Sequence, residues 1–211
     1  MLRVVLPFAL ACSTTAATAQ DKLYIREDFT SETLVPELKI VNRDENRMAF
    51  VDGEYLMIVM HPSDRNVVTY EGTLPENFSA TVKFMDIPAK DNDQGVQILV
   101  GDSERGIGVY AHRWSGQNYD FVCTFDKYLD GERSSFKRER AVSDPPPLYL
   151  RIERRGIELL GYCSDIPSWD QPLGPHVVIG DLNDIEVKAR IWGEAPESPI
   201  RIDYIEIEEL D

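Results

Sequence analysis

The stretch "LYLRIERRGIELLGYCSDIPSW" (residues 148–169) decides the fold. Leu148, Leu150 and Ile152 alternate with Tyr149, Arg151 and Glu153, the period of two of a half-buried strand. Arg155-Gly156 reads as a hairpin tip. That tip sets Glu153 against Glu158, Ile152 against Leu159 and Leu148 against Cys163. The segment is therefore a β-hairpin with one apolar face.

The same signature repeats outward in both directions. "NFSATVKFMDI" (77–87) alternates Phe78, Ala80, Val82 and Phe84 with Ser79, Thr81 and Lys83. "YDFVCTFDKY" (119–128) alternates Tyr119, Phe121, Cys123 and Phe125 with Asp120, Val122, Thr124 and Asp126. "GVQILVGD", "EYLMIVM" and "HVVIGD" read as fully buried strands. "VKARIWG" and "IRIDYIEIE" close the chain. "DPPPL" (144–148) connects two halves of one domain, because successive prolines remove ladder donors. Amphipathic helical periodicity is nearly absent. Many short strands punctuated by Gly, Pro, Asn and Asp imply an all-β, two-sheet antiparallel sandwich.

The first twenty residues have a different character. Arg3 precedes an apolar run from Val4 to Ala11, and Ala17-Thr18-Ala19 forms a small-residue cleavage signal. The expectation is a signal peptide over 1–19, cleaved near Ala19, and a single domain over 20–211. The alternative is lipid attachment at Cys12. Either reading makes the protein secreted or periplasmic. No later segment reaches the roughly 20 apolar residues that a spanning helix needs, so no membrane insertion is expected.

The chain carries a formal charge of -15 over 211 residues. That argues against nucleic acid or an anionic membrane as partner, since both require a basic footprint. Cys123 and Cys163 remain after processing. In an oxidising compartment they either bridge or stay two small buried apolar side chains. A bridge would close a loop of about 40 residues, worth roughly 4 kcal/mol in the chain-entropy description.

The 148–169 hairpin resembles one that recurs in concanavalin A-like sandwich domains, those of the lectin/glucanase group and the module accompanying bacterial β-xylosidases. Leu150, Arg151, Ile152, Arg154, Gly156, Ser164 and Trp169 carry the resemblance. "REDFTSETL", "FVDGEYLMI" and "NFSATVKF" resemble the opening strands of such domains. The loop Asp165-Ile166-Pro167-Ser168 departs from the usual D-G turn. The resemblance implies a concanavalin A-like jelly roll. It also implies a structural Ca²⁺ held by Asp28, Gly53 and Asp203, oxygen ligands suited to that ion. "DNDQG" (91–95) has no closing Glu and reads as a turn.

Retaining glucanases of this superfamily use an E-x-D-x-x-E or E-x-D-x-E cluster. In "RIDYIEIEEL" (201–210), Asp203 and Glu206 match its last two acids, but Arg201 stands in place of the first. Arginine serves neither as nucleophile nor as general acid. This stretch therefore reads as a closing strand, and the expectation leans away from an enzyme.

Candidate binding residues lie elsewhere. "GIGVYAHRW" (106–114) sets Ile107, Val109 and Ala111 against Tyr110, His112 and Trp114. Sugars stack on aromatic rings while polar groups fix their hydroxyls. Tyr110, His112 and Trp114 are thus expected to form a platform on the concave sheet, extended by Arg151 and Tyr162. His61 and His176, beside prolines, look like loop residues, and Trp192 like core or sheet rim. Lys137, Arg138 and Arg140 mark a charged edge strand after the Asp130-Gly131 turn. The favoured expectation is a non-catalytic carbohydrate-binding domain. A glycoside hydrolase or lyase, or a structural interaction module of the envelope, are the alternatives.

Overall fold

The structure is a computed structural model that describes residues 22–87, 94–102, 104–113, 121–142, 147–178, 180, 182–191 and 197–211. Its strands are β1 (Tyr24–Glu27), β2 (Leu38–Val41), β3 (Met48–Val51), β4 (Tyr55–Val59), β5 (Val67–Glu71), β6 (Asn77–Asp86), β7 (Gln94–Gly101) and β8 (Arg105–Arg113). They continue with β9 (Phe121–Leu129), β10 (Glu132–Val142), β11 (Leu148–Arg155), β12 (Glu158–Ser164), β13 (Gly174–Val177), β14 (Asp184–Ile191) and β15 (Pro199–Glu209). Among the described residues no helix is long and apolar enough to cross a membrane.

Two antiparallel sheets result. One has the order β13-β12-β11-β6-β15-β4-β3, with β1 also on β15; the other runs β10-β9-β8-β7-β14-β5-β2. The alternating apolar positions meet between them. Phe78, Ala80, Val82, Phe84, Leu148, Leu150 and Ile152 come from the first sheet, and Val96, Ile98, Val100, Ile107, Val109, Ala111 and Phe125 from the second. Each large apolar side chain buried here contributes about 1.5–3 kcal/mol. Gly161 faces inward on β12, and a Cβ there would lie 2.6 Å from the Phe125 ring. The missing side chain is the room that Phe125 fills.

Beside this contact, Cys123 of β9 and Cys163 of β12 are joined, with Cα atoms 6.2 Å apart. The bridge ties one sheet to the other through the core, and the separation lies in the usual disulfide range.

Four details differ from the sequence reading. The hairpin pairs Arg155 with Glu158, Ile152 with Gly161 and Leu150 with Cys163. The turn therefore sits at Gly156-Ile157, one residue further on. A two-residue turn wants its first residue at positive φ, and Gly156 takes φ 57° while donating its N–H to Asn77 Oδ1 at 2.9 Å. The shift of two in register leaves every side chain on its expected face. β4 alternates between buried and half-buried positions, because its sheet has one outer face. "HVVIGD" is not a buried strand: it begins in the short edge strand β13, where Val177 is exposed. His176 is buried, not a loop residue. Its ring packs on Phe125 and its Nε2–H donates to the Phe125 carbonyl at 2.9 Å.

Other expectations hold. Asp130-Gly131 forms the β9–β10 turn with both residues at positive φ, and β10 is an edge strand. The 201–210 stretch is the final strand, and it lies inside its sheet between β6 and β4.

Candidate functional site

The inner-facing positions of β8 are Ile107, Val109 and Ala111, so Tyr110 and His112 lie on the outer face of the seven-stranded sheet. Tyr110 pairs across the ladder with Thr124 of β9 and Gln97 of β7, and Gln97 pairs with Lys188 of β14. Thr124, Tyr110, Gln97 and Lys188 thus form one transverse row on four adjacent strands, spanning about 14 Å at the usual strand spacing. The neighbouring row is Asp126, Gly108, Leu99 and Glu186. A Cβ on Gly108 would come within 3.2 Å of the Gln97 amide nitrogen, so the glycine leaves room for that amide on the floor.

A cleft of about 170 Å³ opens over these rows, lined by Gln97, Glu104, Tyr110, Tyr128, Gly131, Lys188 and Arg190. The Tyr110 and Tyr128 rings lie 5.9 Å apart and tilted. The Tyr128 hydroxyl approaches Asp126 Oδ2 at 3.5 Å, and Arg133 reaches the same oxygen at 3.6 Å. Burial pushes Asp126 above the ordinary carboxylate range, opposed by Arg133. Burial also holds the Tyr110 phenol well above its usual value and raises Tyr128. Both phenols are therefore neutral hydroxyls at physiological pH.

Lys188 is buried and held by Asp64 Oδ2 at 3.1 Å and Glu186 Oε2 at 2.5 Å. Arg190 Nε lies 3.5 Å from Asp64 Oδ1. Gln97 is 1% exposed, Thr124 2% and Asp126 3%. Gln97 Oε1 nevertheless has no hydrogen-bond partner among the described residues, whereas the Thr124 hydroxyl donates to the Asp126 carboxylate beside it. A buried oxygen left without a donor costs free energy, about 1–3 kcal/mol each. Gln97 lines the cleft, and Thr124 and Asp126 lie outside its lining.

Arg151 and Tyr162 do not extend this surface. They pair with each other on β11 and β12 and lie on the outer face of the eight-stranded sheet. The whole core separates them from Tyr110. Strand alternation places a residue on a face of its own sheet but does not say which sheet that is. There Arg151 contacts Thr81, Glu153 and Glu208 at 3.4 Å each, and Trp169 covers its guanidinium at 5.3 Å. The Trp169 ring also meets Tyr149 and Tyr162 edge-on. Trp114 and Trp192 lie outside the described residues.

The predicted metal residues come toward one end of the eight-stranded sheet. The β1–β15 ladder ends at Glu27–Ile205, just before Asp28 and two residues from Asp203, and Gly53 packs on the Thr30 carbonyl. Each carboxylate there already holds a cation, Asp28 taking Arg26 at 2.8 Å and Asp203 taking Lys83 at 2.6 Å. Glu206 likewise takes Arg26 at 2.8 Å.

The sequence reading passed over Gln97, Thr124, Asp126, Tyr128, Lys188 and Arg190. One signal was present: Gln97 is the polar residue inside the otherwise apolar "GVQILVG", a strand buried along its full length.

No protein-family model matches the chain, and no curated protein matches it. Solved structures do. The GH43 protein BlXynB of Bacillus licheniformis superposes with a TM-score of 0.73 at 14% identity, covering 88% of this chain and 39% of that one. The GH43B protein of a Bacteroides ovatus xyloglucan locus gives 0.71 at 15%, with the same coverages of 88% and 39%. A β-glucanase of Bacillus licheniformis gives 0.57 at 10%, covering 92% of this chain and 100% of that one. The chain thus spans about two fifths of the GH43 proteins, 39% of their length, and all of the glucanase. At these identities the likeness is one of fold, and that fold is the concanavalin A-like jelly-roll sandwich.

Proposed function

We propose that this protein is an exported, non-catalytic carbohydrate-binding sandwich whose ligand lies in the cleft over β9, β8, β7 and β14. One observation carries the reading: Gln97 buries an acceptor oxygen without a donor in the cleft that Tyr110 and Tyr128 also line. Sugar hydroxyls supply donors, and tyrosine rings receive the apolar faces of sugar rings. The structural neighbours named for xyloglucan and glucan are consistent with a saccharide ligand.

One carboxylate pair on this face is spaced too widely for glycoside cleavage. Asp126 and Glu186 stand three strand spacings apart, about 14 Å. Glycosidase carboxylate pairs sit about 5–5.5 Å or 6.5–9.5 Å apart. Glu186 is also committed to Lys188. The Cys123–Cys163 bridge supports the signal-peptide reading, since such bridges persist in oxidising compartments.

Titration of the purified chain with a polysaccharide panel, read by intrinsic fluorescence, tests this function. Saturable quenching by a glycan supports it. Release of reducing ends in the same mixture replaces it with the hydrolase, and silence across the panel with the envelope interaction module. A structural Ca²⁺ at Asp28, Gly53 and Asp203 is part of the proposal. It requires Arg26 and Lys83 to give up their carboxylates, and a thermal midpoint that rises with Ca²⁺ and falls with chelator would support it.

A further inference from the structure

The charged groups of the cleft decide what kind of glycan it accepts. Lys188 and Arg190 line it, and they are the natural partners of a sugar carboxylate. Their charge is already spent: Asp64 lies within 3.1 Å of Lys188 and 3.5 Å of Arg190, and Glu186 within 2.5 Å of Lys188. Two cations face two anions. Arg133 is likewise set against Asp126 at 3.6 Å, which leaves Glu104 at the rim as a negative lining group. Among the described residues, an incoming carboxylate would find no net positive field.

The unmet hydrogen-bonding demand points the same way. Gln97 Oε1 is a buried acceptor that lacks a donor and lines the cleft. A carboxylate brings further acceptors, whereas a hydroxyl brings an O–H. Gln97 and Thr124 flank Tyr110 on the same row, and Asp126 stands two residues along β9 from Thr124. Thr124 and Asp126 answer one another on β9, so Gln97 is the acceptor left for a sugar hydroxyl.

Resting on the carbohydrate reading above, we infer that the ligand is an uncharged glycan, with Gln97 as the acceptor for one of its hydroxyls and the residue that sets this preference.

The test uses the purified chain in isothermal titrations at low and high salt. Xylohexaose and cellohexaose are the uncharged probes and hexagalacturonate the charged one. The expected result is binding of an uncharged probe that salt leaves unchanged, since screening acts on charge pairs and not on neutral hydrogen bonds. Gln97→Met and Gln97→Leu each weaken it about three- to tenfold, the effect of losing one neutral hydrogen bond. Two variants are used so that a folding defect in one leaves the other decisive. Binding of hexagalacturonate as tight as or tighter than that of the uncharged probes, weakened by salt, overturns the inference and leaves the carbohydrate reading standing. Binding of an uncharged probe that both folded variants retain in full overturns the assignment of Gln97 as the acceptor. No binding of either class by a cooperatively folded protein overturns the inference and the carbohydrate reading together.

Discussion

Gln97→Met separates a binding site from ordinary packing, because the two predict opposite changes in stability. The glutamine is 1% exposed on a strand buried from end to end, and its Oε1 has no donor. Methionine has nearly the same length and volume, so the substitution costs little in packing. It removes an unsatisfied buried acceptor, whose penalty is about 1–3 kcal/mol. For a domain of this size each kcal/mol moves the thermal midpoint by about 2–4 °C. The ligand-free variant should therefore melt higher, by about 4–8 °C for a penalty of about 2 kcal/mol. Differential scanning calorimetry and urea unfolding give the readout, and the urea slope should stay constant while the midpoint rises. The same variant should bind glycan more weakly, the trade of stability against function expected where a site keeps groups poised for a ligand. A fall in both midpoints would show that Gln97 is satisfied in the free protein and would refute the reasoning.

Further predictions concern the bridge and the charged floor. Cys123→Ala with Cys163→Ala should lower stability by about 4 kcal/mol, seen as an earlier urea midpoint that reductant no longer shifts. Lys188→Met should cost about 3–5 kcal/mol, because Glu186 and Asp64 lose the cation that neutralises them; an unchanged melt would show that water already screens them. Asp126 titrates above its ordinary value when folded, so its neutral form favours the native state. That stability is fully present below the unfolded carboxyl value, near 3.8, and is lost as pH rises through the raised folded value. Asp126→Asn should therefore flatten the stability profile across this window and raise stability at neutral pH; identical slopes for variant and parent would count against it.

Much of the architecture was legible one strand at a time. The alternation in 77–87 and 148–155 named the side chains that now fill the core, since a period of two assigns inward and outward faces without knowledge of any partner. The Asp130-Gly131 turn was legible because its positive φ values restrict which residues fit. The register of the 148–164 hairpin was less so: moving a tight turn by one residue preserves facing, so the pattern does not discriminate. His176 was misread because a histidine flanked by proline looks like a loop residue. Its burial against Phe125 depends on β9, far away in sequence.

The candidate site shows the same division. Tyr110 and His112 were visible as an outward-facing pair, while Gln97, Thr124, Asp126 and Lys188 are polar residues spread over three separate strands. Nothing local links them. The sequence by itself determined the faces of each strand, the two-sheet class and the acidity of the whole chain, because these follow from residue order and near neighbours. Only the tertiary structure decided that Tyr110 shares a row with Gln97 and Lys188 while Arg151 and Tyr162 look out from the opposite sheet. Strand order is set by how two apolar faces close on one another, and those non-local pairings leave no trace in the period of a single strand.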